Sequence, residues 1–317
     1  MRVGVILALA LLLAHPVAAE ERWAFVLSGA SGGPKYAEQM RDWRAGLQSA
    51  LVDRYGFKAD KIRVFVDETV KTGEAGNAEN VRKAFADVRK QLNREDVLLI
   101  ILLGHGTYDG DVAKFNLVGP DLTAADWSTL LTGVPARLVV VNTTEASFPF
   151  LERLSGPNRV VITATDSAAQ KYATVFPDYF VKAMGEASSD LDKNGRTSIF
   201  EIFSAASAAV KQHYQQRGQL TTERALFDDN GDGVGREAEA PGPDGALARL
   251  LYLDAELPAA ANNPELAALL RRRRELEGEA EALKLKKGSM AAPAWEAEYE
   301  KLMIELARVS RDIRAKS

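Results

Sequence analysis

The chain has 317 residues, 46% of them apolar, and carries 44 acidic and 40 basic side chains for a formal net charge of −4. The two signs are interspersed, so nothing in the charge pattern calls for nucleic acid or an anionic membrane surface as partner. Cysteine is absent, which excludes disulfides, thiolate metal sites and thiolate catalysis, and the length suits one large domain with a smaller appendage.

Residues 1–19 read as a secretory signal peptide. Arg2 forms a minimal positive start, Val3 to Ala14 an unbroken apolar run, and His15-Pro16 a helix break. Val17-Ala18-Ala19 then places small residues at the −3 and −1 positions of a cleavage site, and the polar Glu20-Glu21-Arg22 follows. The alternative, a retained membrane anchor, is disfavoured because the segment is shorter than a bilayer span. The expectation is export to the periplasm or the extracellular space, with no membrane span after cleavage.

From Trp23 to about Ala164, short apolar runs alternate with amphipathic stretches. Strands are predicted at Trp23 to Leu27, Lys61 to Val66, Val97 to Leu103, Leu138 to Val141 and Val160 to Ile162. Helices are predicted at Tyr36 to Tyr55 and Ala78 to Leu92. Wholly apolar strands separated by helices predict a mostly parallel sheet covered on both faces, an α/β three-layer sandwich over residues 20–257. Ala173 to Ala187 and Ile199 to Gln215 read as further helices. Leu257-Pro258 to Pro264 reads as a linker to a helical hairpin at 258–317. In its second helix Trp295, Tyr299, Leu302, Leu306, Val309 and Ile313 form a heptad seam; Leu266, Leu269, Leu276 and Leu283 line the first. The hairpin packs either on its own domain or on a second chain, so helix-mediated self- or hetero-association is one partner expectation.

Open parallel sheets do chemistry beyond the carboxyl ends of their strands. Three loops leave at that edge: Ser28 to Gly33, Gly104-His105-Gly106, and Asn142 to Ser147. A histidine between glycines at the end of a buried strand is placed to act as a base, with the Gly106 amide as an oxyanion donor. The plain alternative is a tight turn with an incidental imidazole.

Here the chain resembles a known family. Trp23 to Gly29, with Tyr36 and Gln39 behind it, is similar to the opening of legumain. Leu102-Leu103-Gly104-His105-Gly106 is similar to the catalytic-histidine strand of legumains, caspases, clostripains and gingipains. Val139 to Thr144 resembles the strand that delivers their nucleophile, and Thr163-Ala164 with Tyr172-Ala173 the next legumain segment. The resemblance runs from Trp23 to roughly Gly235 and implies a caspase-like fold. It places the general base on His105 and the nucleophilic cysteine on Thr144. Legumain's active-site asparagine falls on Ser31, the arginine and glutamate of its specificity pocket on Ala37 and Asn142, and two pocket serines on Gln170 and Lys171. The histidine position survives while the thiol and the pocket do not. A hydroxyl needs a base hydrogen-bonded to it, and the resemblance implies that histidine and nucleophile stand too far apart for that bond. The expectation is a pseudopeptidase, a binding or scaffold module whose groove takes an extended peptide or protein. The alternative is an active hydrolase using His105 with Thr144 or Ser147, or with a metal-activated water.

Elsewhere the clearest chemistry is a twelve-residue calcium loop. Asp190, Asp192, Asn194, the Arg196 carbonyl, Ser198 and Glu201 occupy positions 1, 3, 5, 7, 9 and 12, with Gly195 at the turn. A second set, Asp228, Asn230, Asp232 and Glu239, fits the formal pattern but promises no exiting helix. Solvated acidic turns are the alternative for both, and the two loops sharing one ion is another. Calcium is the expected cofactor, bound weakly, on the order of 10⁻⁴ to 10⁻³ M for an isolated extracellular loop.

Overall fold

The computed structural model describes residues 20–67, 73–254 and 263–316; the expected leader and the boundary expected at residues 257/258 lie outside them. In chain order the elements are β1 (Arg22–Ser28), α1 (Pro34–Ser49), β2 (Ile62–Val66), β3 (Glu74–Ala75), α2 (Ala78–Arg89) and β4 (Val97–Leu103). Next come β5 (Gly106–Tyr108), β6 (Ala113–Phe115), β7 (Leu122–Thr123), α3 (Ala124–Leu131), β8 (Arg137–Asn142), α4 (Phe148–Leu154) and β9 (Arg159–Thr163). Then follow α5 (Phe176–Gly185), α6 (Ile199–Gln216), β10 (Leu226–Asp228), α7 (Ala246–Leu250), α8 (Pro264–Leu285) and α9 (Ala292–Lys316).

The central strand explains the layering. All seven residues of β4 are buried, which requires cover on both faces. Leu99, Ile101 and Leu103 feed one core with Leu47, Phe176, Phe180 and Phe203, from α1, α5 and α6. Leu98, Ile100 and Leu102 feed the other with Phe85, Trp127 and Phe150, from α2, α3 and α4. The sheet runs β10-β9-β8-β4-β1-β2-β3, parallel throughout except for the antiparallel β10–β9 pair. The predicted α/β three-layer sandwich is the observed one.

The chain steps from β1 to β2 on one side and then returns to place β4 on the other side of β1. That reversal opens a crevice at the carboxyl ends of β1 and β4, where Gly29 and Gly104-His105 stand. The small antiparallel sheet β5-β6-β7 folds over the same edge, and Asn116, just past β6, accepts from Ala30 and donates to the His105 carbonyl.

Where elements differ from expectation, length is the reason. β5 to β7, of two or three residues each, and α3 and α4, of eight and seven, are too short to register as periodicity. The first predicted helix ends at Ser49 and continues as a π-helical turn over Ala50–Arg54. The tail is the expected hairpin, closed by Leu266, Leu270, Leu276, Val309 and Ile313. It packs on its own domain through α7, with Arg249 lying 3.5 Å from Glu281.

Candidate functional site

His105 projects from the loop after β4 into a cleft between α1 and the segment leading into α5. Tyr36, Met40 and Trp43 line one wall, Thr174, Val175 and Pro177 the other, around a cavity of about 170 Å³. The ring is held from two sides. Its Nδ1 lies 2.9 Å from Glu145 Oε1, and Tyr36 stacks edge-on at 4.7 Å between centroids. The Glu145 hydrogen bond raises the His105 pKa above 6.5; burial opposes this, while the Glu145 charge and the Ser31 backbone add to it. The contact favours the charged ring and fixes its orientation.

This has a measurable consequence. A raised folded-state pKa means the His105–Glu145 pair contributes its full stability below about pH 6.5 and loses it as pH rises through the higher folded value. Residues 20–317 hold two histidines, His105 and His213. Burial, seconded by the Arg217 charge, lowers the His213 pKa. An NMR titration should show one imidazole titrating above 6.5 and one below, and Glu145→Gln should bring the first back down. Two coincident midpoints would contradict the arrangement.

Both candidate nucleophiles are committed elsewhere. Thr144 is fully buried, its Oγ1 2.8 Å from Asn142 Oδ1 and 3.0 Å from the Glu145 carbonyl. Its single proton therefore points into its own loop. Ser147 is also fully buried; its hydroxyl lies 3.0 Å from Thr165 Oγ1 and accepts from the Thr165 amide at 3.2 Å. Among the described residues no hydrogen bond joins His105 to either. Gly106 does not line the cleft. It opens β5, buried behind His105, and a Cβ there would stand 2.5 Å from Thr144 Oγ1. The incidental-imidazole reading gives way to a ring that a carboxylate orients.

Other family-implied positions have local roles. Ser31 donates its hydroxyl to Asp67 at 2.8 Å, and Asn142 is fully buried, holding the Thr144 amide at 3.1 Å. The Gln170 carbonyl accepts from Ala146, which sits at φ 51, strained for a residue with a side chain. Ala37 is half-buried and Lys171 exposed. Sequence reasoning missed Glu145. Its signal was a carboxylate one residue past the nucleophile position, on the loop that adjoins the histidine loop.

Of the two acidic loops, the first converges. Ligand oxygens of Asp190, Asp192 and Glu201 lie within 4.8 Å of one another, the one such group among the described residues. Gly195 takes φ 86 at the turn, and the Asp190 carboxylate accepts from Asn194 and Gly195. Ser198 and Glu201 form the capping box of α6, and Glu201 also accepts from Leu191 and Asp192. Burial, with the nearby Glu201 and Asp190 charges, raises the Asp192 pKa. Asn194 Oδ1 and the Arg196 carbonyl stand on the same loop as further oxygen donors, the Asn194 oxygen holding the Arg196 amide at 2.8 Å.

The second loop does not converge. Asp228 accepts from Gly231, Gly233 and Ser155, while Asn230 and Asp232 brace the turn through the Asp232 and Val234 amides. Glu239 turns away to Lys211 at 2.9 Å. The chain continues not into a helix but into a backbone bridge between Phe227 and Arg236.

Comparison with known proteins gives a partial likeness. No family model matches the chain. A 61-residue stretch is 36% identical to metacaspase-4 of Arabidopsis thaliana, covering 19% of this chain and 14% of that one. The likeness is to a caspase-like peptidase and reaches only a small part of the relative's length. A crystal structure of a Geobacter sulfurreducens protein superposes with a TM-score of 0.42 at 13% identity, covering 75% of this chain and 98% of that one. No helix among the described residues is long and apolar enough to cross a membrane.

Proposed function

We propose that this protein is an exported, legumain-like pseudopeptidase that binds calcium and uses its His105 cleft to hold an extended peptide or protein segment. The observation that carries the reading is the sequestration of both hydroxyls. Thr144 and Ser147 are fully buried, the first bonded within its own loop and the second to Thr165 past β9, so neither offers an oxygen to a carbonyl in the cleft. A general base also needs a neutral ring, and the Glu145 hydrogen bond favours the charged one. What remains is a cleft of mixed lining, Met40, Val175 and Pro177 beside Lys35, Gln39, Thr174 and Asp178, suited to binding. Support for the ion comes from the loop at Asp190, Asp192 and Glu201, whose oxygen donors suit a hard divalent cation; the ion would neutralise the crowded acids and tie the loop after α5 to the first turn of α6.

The His105–Glu145 pair favours a second reading, a hydrolase in which the oriented imidazole activates a water. One experiment separates the two. Residues 20–317 are incubated with a peptide library beside the His105→Ala, Thr144→Ala double variant, and products are read by mass spectrometry. Identical, blank traces are expected. Cleavage that disappears in the double variant defeats the pseudopeptidase reading.

A further inference from the structure

From the outer face of α9 we infer that the C-terminal hairpin joins a second copy of this chain, the two α9 helices packing antiparallel about Met303 and Ile304. The inner face of α9 is already spent: Leu302, Leu306, Val309 and Ile313 pack on α8. The opposite face is exposed along its length, and at its middle Met303 and Ile304 are 40% and 46% exposed. Two adjacent large apolar side chains on an otherwise polar helix face are left without cover.

Charge selects the occupant. The half of this face before Met303 carries Glu296 and Glu300, with Lys301 at its margin, and the half after Ile304 carries Arg308 and Arg311, with Arg314 beyond them, all exposed; the first half is net acidic and the second basic. Reversing one copy about the Met303–Ile304 centre lays Glu296 and Glu300 along Arg311 and Arg308 of the other, and the two-fold repeats each pairing. A parallel pair would instead set like charges side by side. The helix dipole accounts for acids in the first turn and bases in the last. It does not account for Glu300 and Arg308, which both lie more than two turns inside the ends of Ala292–Lys316. Ala297 and Ala307 keep the stripe narrow enough for close approach. This inference is independent of what the His105 cleft does.

The chain lacks cysteine, so introduced thiols report the geometry directly. In sedimentation velocity at low salt, residues 20–317 should dimerise with concentration. The Glu296→Lys, Glu300→Lys variant and the Arg308→Glu, Arg311→Glu variant should each associate about tenfold or more weakly. An equal mixture of the two should recover the dimer, because opposite halves then attract; recovery also shows that neither variant is misfolded. Under oxidation, Ile304→Cys should cross-link to itself, and Ala297→Cys should link to Arg311→Cys but not to itself. A wild-type chain that stays monomeric throughout, a charge-reversed mixture that fails to associate while both variants keep their helical circular dichroism, or Ala297→Cys self-linking as readily as Ile304→Cys would each overturn the proposal.

Discussion

Gly106→Ala is expected to destabilise the protein by about 3 kcal/mol, the upper end of overpacking costs, lowering the melting temperature by roughly 6–12 °C for a domain of this size. The added Cβ would stand 2.4 Å from the Glu145 carbonyl oxygen and 2.5 Å from Thr144 Oγ1. The first is backbone and cannot rotate aside. Nor is the loop that carries it free to retreat: Asn142 holds the Thr144 amide, Gln170 holds the Ala146 amide, and Thr174 donates to the Thr143 carbonyl at 2.6 Å. The strain must therefore move β5 away from the loop or break these ties, and either displaces Glu145 from His105. Urea melts should show the loss, and the His105 pKa should fall back towards the ordinary imidazole value. Gly278→Ala gives the opposite sign. It sits inside α8 with nothing within 4 Å of an added Cβ, so alanine should stabilise by about 0.5–1 kcal/mol. A Gly106→Ala protein as stable as wild type would mean that the Glu145 loop is soft and does not hold the Thr144 hydroxyl in place.

The parts of this fold that sequence revealed are those where burial leaves no choice. β4 is seven apolar residues in a row, and such a run has one stable location, the middle of a covered sheet. Helix seams in α8 and α9 were equally legible because a four-three spacing repeated over several turns has one physical reading. The site was legible as a place, since carboxyl ends of parallel strands converge, and His105 is there. Its wiring was not. Whether Glu145 reaches His105, or Thr144 turns inward to Asn142, depends on φ and χ angles of a six-residue loop containing one left-handed alanine. Composition carries no signal for that. The acidic loops illustrate the same limit: both fit the twelve-residue pattern, yet only the first is followed by a helix whose cap reuses its last ligand. In the second, Lys211, a residue on α6 far off in sequence, takes Glu239.

Glu201 joins stability to the proposed ion, and its substitution should show both. Its Oε2 accepts from the amide and hydroxyl of Ser198, each at 2.8 Å, and its Oε1 from the amides of Leu191 and Asp192. Glu201→Ala removes a capping box and the acceptors of three amides together, an expected loss of about 2–3 kcal/mol in chelator. Calcium acts on the other side of the balance. The Asp192 carboxyl is held above the ordinary aspartate range by burial and by Glu201 and Asp190. An acid whose folded pKa is raised works against folding once pH exceeds its unfolded value, so at neutral pH the ion-free cluster opposes the fold. A divalent cation reverses that sign. With a dissociation constant on the order of 10⁻⁴ to 10⁻³ M, about 10 mM calcium should add roughly 1.4–2.7 kcal/mol by mass action. Thermal melts of wild type in calcium and in chelator should therefore differ by several degrees, and those of Glu201→Ala should coincide at a lower temperature. Asp192→Asn distinguishes cap from ion. It leaves Glu201 and its four donors in place while removing one of three converging carboxylates, so it should keep or slightly raise the chelator melt and lose most of the calcium shift. If wild-type melts do not respond to excess calcium, Glu201 is a helix cap alone and the cluster's electrostatic cost stays uncompensated in the native protein.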